Sequence, residues 1–130
     1  MKEIKFRAWH KKRKKYYKVL HLHLDDLGGI WATCEGFDII EQKEIHIQIQ
    51  PKDCIIVQYT GLKDKNGKEI YEGDIVENVS FYPSVVKYDD DHARFTAEGA
   101  SFHHYRSHEW EVIGNIYENP ELLEDDKEGR

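Results

Sequence analysis

Apolar and polar residues alternate in several short segments of this 130-residue chain. Ile45, Ile47 and Ile49 alternate with polar residues until Pro51, a pattern typical of a strand with one buried face. The segment Ile4–Trp9 has the same period of two. Further strands are predicted at Tyr16–Leu24, Cys54–Tyr59, Ile70–Tyr71, Ile75–Val76, Val85–Tyr88, Ala93–Ala97 and Trp110–Tyr117. No long helical pattern competes with these strands, so the chain is predicted to be mainly β.

Turn signals separate the predicted strands. The basic run Lys11–Lys15 predicts the tip of a hairpin. Asn66-Gly67 predicts a type I′ turn, in which both residues have positive φ. Asp89–Asp91 predicts a further turn, and Gly114 predicts a bulge in the last strand.

Two segments depart from the strand pattern. Glycine interrupts Ile30–Phe37, which is predicted to be irregular or a short strand. Asn119 followed by Pro120 is typical of a helix start and predicts a short helix over Pro120–Glu124. The acidic end Glu124–Arg130 is expected to be frayed.

Twelve residues are predicted to form the core. They are Phe6, Ile45, Ile47, Ile56, Tyr59, Ile70, Ile75, Val76, Val86, Phe95, Val112 and Ile116. The aromatic residues Trp9, Tyr59, Tyr71 and Trp110 are also expected in the core more often than on a ligand platform.

Composition limits the class of protein. Hydrophobic residues make up 39% and charged residues 34%, as in one folded domain with a charged surface. No apolar run is long enough for a membrane-spanning helix or a signal peptide, so a cytoplasmic location is predicted. Cys34 and Cys54 form no Cys-x-x-Cys pair and are predicted to be reduced thiols.

Charge is distributed unevenly along the chain. Residues 1–18 contain nine Lys or Arg and one acid, whereas the whole chain carries a net charge of −6. This acidity argues against a protein that coats nucleic acid by charge alone, but a local basic arm can still contact phosphate.

Three blocks carry a resemblance to a known family. They are Phe6–Trp9, Gln58–Val76 and Val112–Pro120. Together they resemble the YopX-like family of phages and prophages. The resemblance implies an SH3-like small barrel at 53–117 and an N-terminal β extension at 1–50. It implies no reaction. The whole chain is predicted to be one domain, with a short helix and an acidic tail at 118–130.

The basic run is the best candidate contact surface. Lysines neutralise phosphates and exposed aromatics stack on bases, so a nucleic-acid or protein partner is expected there. The candidate residues are Trp9, Lys11, Lys12, Arg13, Lys14, Lys15 and Tyr16. The competing interpretation is a solvated hairpin tip whose lysines keep a strand edge from pairing.

Other reactive groups lack a recognisable arrangement. The histidine sets His21 with His23, and His103, His104 with His108, suggest a transition-metal site, but their spacing matches no metal signature. They are therefore expected to be surface histidines, and no cofactor or metal is predicted. The acids at Asp89–Asp91, and Glu72 with Asp74, are expected to fix turns.

No nucleophile triad and no phosphate-cradling loop occur in the sequence. The sequence therefore predicts a non-catalytic phage or prophage accessory protein that binds a macromolecular partner. Three alternatives remain: a nucleic-acid-binding module using Lys11–Lys15, a metal-dependent enzyme using the clustered histidines, and a homo-oligomer assembled through exposed strand edges.

Overall fold

The computed structural model describes residues 3–78, 81–97, 100–101 and 109–123. Within them, antiparallel strands dominate, which confirms the mainly β prediction. The strands are β1 (Phe6–His10), β2 (Lys15–Leu24), β3 (Ile30–Asp38), β4 (Lys43–Ile49), β5 (Cys54–Lys63), β6 (Glu69–Tyr71), β7 (Asp74–Asn78), β8 (Phe81–Val85), β9 (Lys87–Asp89), β10 (Arg94–Ala97), β11 (Ala100–Ser101) and β12 (Glu111–Asn115). A 3-10 turn spans Pro51–Asp53, and residues 121–123 are helical.

The chain divides into two compact units. The N-terminal unit is Ile4–Gln58, and the C-terminal unit is Tyr59–Arg130 with Met1–Glu3. Each unit has its own cluster of buried apolar side chains. The single-domain organisation, with its boundary near residues 50–53, stays a prediction.

In the N-terminal unit, one strand belongs to two sheets. Strand β2 pairs with β1 through its first residues and with β3 from Val19 onward, and the register shifts between Val19 and His21. A shift of this kind bends a strand so that it turns from one sheet into another. The strands of this unit pair in one continuous order, β4-β3-β2-β1-β5, and the bend in β2 divides it into two sheets, β5-β1-β2 and β2-β3-β4, which share β2.

The connection between β4 and β5 shows that these sheets curl toward each other. Only Gln50–Asp53 lies between the two strands, although β3, β2 and β1 separate them in the strand order. With a link of this length, the last Cα atom of β4 and the first Cα atom of β5 lie at most about 17 Å apart. In a flat sheet the two strands would be about 19 Å apart. Curling places the core between the sheets, where Ala8 and Tyr17 of one meet Ala32, Cys34 and Ile49 of the other.

The third strand shows why its sequence was difficult to interpret. Ile30–Asp38 is a nine-residue strand, so the prediction of an irregular or short segment is wrong. Gly36 lies opposite Ile45 in β4, and a Cβ at Gly36 would collide with the side chain of Ile47. The glycine therefore makes room for a packed isoleucine and does not mark a turn.

The C-terminal unit contains smaller sheets. Strands β12, β7 and β8 form one, β11, β10 and β9 form another, and the second half of β5 pairs with β6. Their core consists of Ile70, Val76, Val86, Ala97 and Trp110, with Leu62, Phe95 and Val112 packed against it. Among the described strands no sheet closes into a barrel, so the SH3-like barrel predicted at 53–117 is not confirmed.

The last strand has the predicted bulge but ends earlier than predicted, at Asn115, and residues 116–118 form a turn. The register of β12 shifts between Val112 and Gly114, which is the expected bulge. Asn119 Oδ1 accepts a hydrogen bond from the Asn115 N–H at 3.2 Å, and a Cβ at Gly114 would press on the Asn119 amide. The predicted short helix is confirmed over 121–123, whereas Glu124–Arg130 lies outside the described residues.

The predicted core is partly confirmed. Five of the twelve residues are fully buried, namely Tyr59, Ile70, Ile75, Val76 and Val86. The other seven are half-buried, namely Phe6, Ile45, Ile47, Ile56, Phe95, Val112 and Ile116. The aromatic residues Trp9, Tyr59, Tyr71 and Trp110 are all buried, as expected. Small residues such as Ala8, Ala32 and Cys34 were missed, because side-chain size does not reveal which positions face the tightest part of the core.

Side-chain acceptors organise the hairpin turns. Asp25, Asp38, Asp64 and Asp89 each accept the backbone N–H of the second residue after them, at 2.8 to 3.1 Å. The type I′ turn predicted at Asn66-Gly67 is wrong, because only Gly67 has positive φ, at 82°. Asp64 makes the alternative turn possible by accepting the N–H groups of Asn66 and Lys68.

Asp64 also joins strands distant in sequence. Its Oδ2 accepts the Val112 N–H at 2.9 Å, and the residue is 5% exposed. Burial alone would raise the pKa of this carboxyl. The hydrogen bonds from Val112, Lys68 and Asn66, with the charge of Lys68, more than offset that effect and lower the pKa below its ordinary value.

Replacing Asp64 should destabilise the protein far more than replacing its exposed counterpart Asp25. Asp64→Ala leaves buried N–H groups without their acceptor and should lower the free energy of unfolding by about 3 kcal/mol. Asp25→Ala removes only an exposed turn cap and should cost about 1 kcal/mol. Urea denaturation of both variants measures the difference, and equal losses would contradict the role assigned to the Val112 contact.

Asp64 should also stabilise the protein in a pH-dependent way. Because its pKa is lower in the folded state, its contribution is present above about pH 4, the ordinary carboxyl pKa, and is lost as the pH falls through the folded value. Asp64→Asn lacks this titration, so the stability difference between wild type and variant should shrink below about pH 4. Thermal unfolding from pH 7 to pH 2.5 tests this, and a constant difference would refute it.

Candidate nucleic-acid interface

The predicted basic hairpin tip is present. Strands β1 and β2 pair antiparallel, with His10 opposite Lys15, and residues 11–14 form the turn between them. We call the segment His10–Lys15 the basic loop. All five of its Lys and Arg side chains are exposed.

Hydrogen bonds fix the backbone of the basic loop. The N–H groups of Lys12 and Arg13 both donate to His10 Nδ1 at 3.2 Å. Lys14 donates to the His10 carbonyl, and Lys11 donates to the Asp53 carbonyl, each at 2.8 Å. Because all four N–H groups are engaged within the protein, a ligand contacts this loop through its side chains.

Few groups compensate the positive charge of the basic loop. Lys12 Nζ lies 3.9 Å from the Asp53 carboxylate. Arg13 donates to the Tyr17 hydroxyl at 3.2 Å, and the Lys15 ammonium lies 4.9 Å from the centre of the Tyr17 ring. Within the described part of the chain, Lys11 and Lys14 form no ion pair. The loop therefore presents a concentrated, largely uncompensated cationic surface.

The aromatic residues beside the basic loop pack within the unit. Trp9 is 6% exposed, and its ring meets that of Tyr16 edge-on with centroids 5.1 Å apart. The Arg7 guanidinium lies 4.0 Å from the centre of the half-buried Tyr16 ring. Trp9 therefore offers no open face for a base, although the sequence placed it in the candidate surface. The contact role of the lysines and of Arg13 stays a prediction.

The histidines of β2 have structural partners. The His23 ring stacks on Trp31 with centroids 3.9 Å apart, and its Nε2 lies 3.0 Å from Thr33 Oγ1. His21 lies beside it with a centroid distance of 6.3 Å. No group of three or more metal-ligating side chains forms in the described ranges. The other predicted set, His103, His104 and His108, lies outside the described residues.

The acids singled out in the sequence hold turns together. Asp89 accepts the Asp91 N–H at 3.1 Å and lies 2.9 Å from His92 Nδ1, and this contact with His92 lowers the pKa of the carboxyl. Asp74 is 2% exposed and accepts the Tyr71 N–H at 2.8 Å. The expected turn-fixing role is confirmed for Asp74 and Asp89.

The two cysteines are poor nucleophiles. Burial and the neighbouring Cys54 raise the pKa of Cys34 to about 11. Burial also raises the pKa of Cys54, against the lowering effect of Lys11. Neither therefore has the lowered pKa typical of a reactive cysteine. Cys34 is fully buried, Cys54 is half-buried, and the two form no disulfide.

Comparison with known proteins places the chain in a family. The family model described as YopX protein matches residues 5–124. The chain belongs to the YopX family. A crystal structure of protein EF1440 from Enterococcus faecalis is similar, with a TM-score of 0.64, 30% identity, and coverage of 95% of this chain and 99% of that one. No curated protein matches this YopX family member.

The described residues also contain no helix with the length and apolar composition needed to cross a membrane.

Glycine at the last turn residue of the basic loop should stabilise this YopX family member. Lys14 has a φ of 55°, a conformation that strains residues other than glycine, and Gln42 has the same φ in the β3–β4 turn. Lys14→Gly and Gln42→Gly should each raise the free energy of unfolding by about 0.5 to 1 kcal/mol. Chemical denaturation measures the free energy of unfolding of both variants. If Lys14→Gly destabilised the protein while Gln42→Gly stabilised it, the positive φ assigned to Lys14 would be contradicted.

Proposed function

We propose that this YopX family member is a non-catalytic binding protein that contacts nucleic-acid phosphates through the basic loop. One observation carries the proposal: five exposed cationic side chains project from a turn whose backbone is already fixed. A fixed turn loses little conformational entropy on binding, so more of the electrostatic attraction is retained as affinity.

The geometry favours contact with phosphates over contact with bases. Trp9 is buried, and the loop N–H groups are occupied, so neither stacking on Trp9 nor backbone recognition is available. Lysine and arginine side chains bind phosphates without reading sequence. Binding is therefore expected to tolerate different sequences and to weaken strongly with salt.

The charge of the two units limits where a polyanion binds. The N-terminal unit carries ten Lys or Arg against seven acids, whereas the C-terminal unit carries nine against eighteen. The acidic unit repels a nucleic acid, so the interaction is confined to the N-terminal unit and its loop.

The basic loop is a connection between neighbouring strands of a bent sheet. The strand order β4-β3-β2-β1-β5 places it between β1 and β2, next to the bend in β2. Surface loops held by a rigid scaffold commonly carry binding residues.

Family membership supports the wider setting that we propose. A YopX protein acting as a phage or prophage accessory factor would work in the bacterial cytoplasm, where DNA and RNA are abundant polyanions. The proposed partner is therefore the phosphodiester backbone of DNA or RNA.

Removing charge from the basic loop tests the proposal. The variant Lys11→Gln, Lys12→Gln, Lys14→Gln keeps side-chain length, and Gln42 shows that glutamine adopts the positive φ required at position 14. Its affinity for a fluorescein-labelled 20-mer, single- or double-stranded, should fall at least about tenfold at 50 mM salt. The slope of log K against log salt should become shallower by about 2 to 3.

A matched variant controls for overall charge. Lys63→Gln, Lys65→Gln, Lys68→Gln removes the same three charges from exposed positions of the C-terminal unit. It should bind the 20-mers almost as wild type does. Equal losses in the two variants, or wild-type binding that does not respond to salt, would refute the proposed function.

A further inference from the structure

Three hairpin turns of this protein share one construction. They begin at His10, Asp38 and Asp89. In each turn, the side chain of this first residue accepts a hydrogen bond from the backbone N–H of the second residue after it. The fourth residue after each acceptor has positive φ without being glycine, namely Lys14 at 55°, Gln42 at 55° and Ala93 at 50°. The basic loop is therefore built like two ordinary turns of the same protein.

The basic loop differs from the other turns in the chemistry of its acceptor. Asp25, Asp38, Asp64 and Asp89 cap their turns with a carboxylate oxygen. His10 performs the same task with Nδ1, which receives the N–H groups of both Lys12 and Arg13. Among the five described hairpin turns capped in this way, only the one that carries the basic run uses an imidazole. Asn115 caps the turn after β12 with a neutral amide oxygen.

This difference has an electrostatic consequence. An imidazole nitrogen accepts a hydrogen bond through a lone pair, so a cap made through Nδ1 adds no negative charge to the loop. A carboxylate at position 10 would satisfy the same N–H groups but would add a negative charge beneath five cationic side chains. It would form ion pairs with them and weaken their attraction for an external anion.

We propose that His10 is the positioning residue of a phosphate-binding loop: it orders the turn without adding a negative charge next to Lys11–Lys15. The inference rests on the proposed function and deepens it. It names the residue that fixes the loop backbone and adds no negative charge there. The ligand it serves is a phosphodiester backbone. His10 itself makes no contact with that ligand and acts through the five cationic side chains.

Substitutions at position 10 separate capping from charge. His10→Asp retains a cap, because aspartate caps the equivalent turns, but adds a negative charge. Its melting temperature should equal or exceed that of wild type, while its affinity for a fluorescein-labelled single-stranded 20-mer falls about three- to tenfold at 50 mM salt. The slope of log K against log salt should become shallower by about 1, as if one phosphate contact were lost.

Two further variants complete the comparison. His10→Asn caps without charge and should match wild type in melting temperature, affinity and salt slope. His10→Leu removes the cap, so the melting temperature should fall by several degrees and the affinity should fall with an unchanged salt slope. Gln48→Glu places the same added charge on exposed β4 and should leave affinity within about twofold of wild type.

The outcomes distinguish this inference from the proposed function. If wild type binds with salt dependence but His10→Asp binds as tightly as Gln48→Glu, the inference is overturned and the proposed function stands. If His10→Leu melts and binds like wild type, His10 does not order the loop and the inference is again overturned. If wild type shows no salt-dependent binding, the proposed function fails and the inference fails with it.

Discussion

The hairpins of this protein depend on one interaction, in which the first residue of the turn offers a side-chain acceptor to the backbone N–H two residues later. The described residues are nearly all strand or turn, so chain reversals determine which strands become neighbours and in which register. Asp64 extends the same interaction beyond its own turn to Val112, and in this way a local cap also holds a distant strand in place.

Much of the strand pattern could be predicted from the sequence because alternation reports directly on burial. Ile45, Ile47 and Ile49 were identified in this way. The sequence did not reveal Gly36 as a packing position, because a strand glycine and a turn glycine look alike until the opposing side chain is known. The sequence also could not predict which strands share a sheet, because the bend in β2 arises from its pairing with β1 and β3.

The candidate surface was predicted in part. A run of five cationic residues between two strands is visible in the sequence, and its exposure follows from its charge. The sequence does not show how far each neighbouring aromatic residue is exposed. In the structure Trp9 is buried and Tyr16 is half-buried. The cap made by His10 was missed, although one signal existed: the residue that begins each of the other four capped hairpin turns is aspartate.

The shared strand has a consequence for how the N-terminal unit opens. Backbone groups of β2 are hydrogen-bonded to β1 at one end and to β3 at the other, so neither sheet can separate without exposing the end of a strand that the other still holds. We therefore expect partial unfolding of one sheet to be coupled to loss of the other, so that the unit opens as one cooperative foldon. The basic loop, which joins β2 to β1, then keeps its shape for as long as that foldon stays closed.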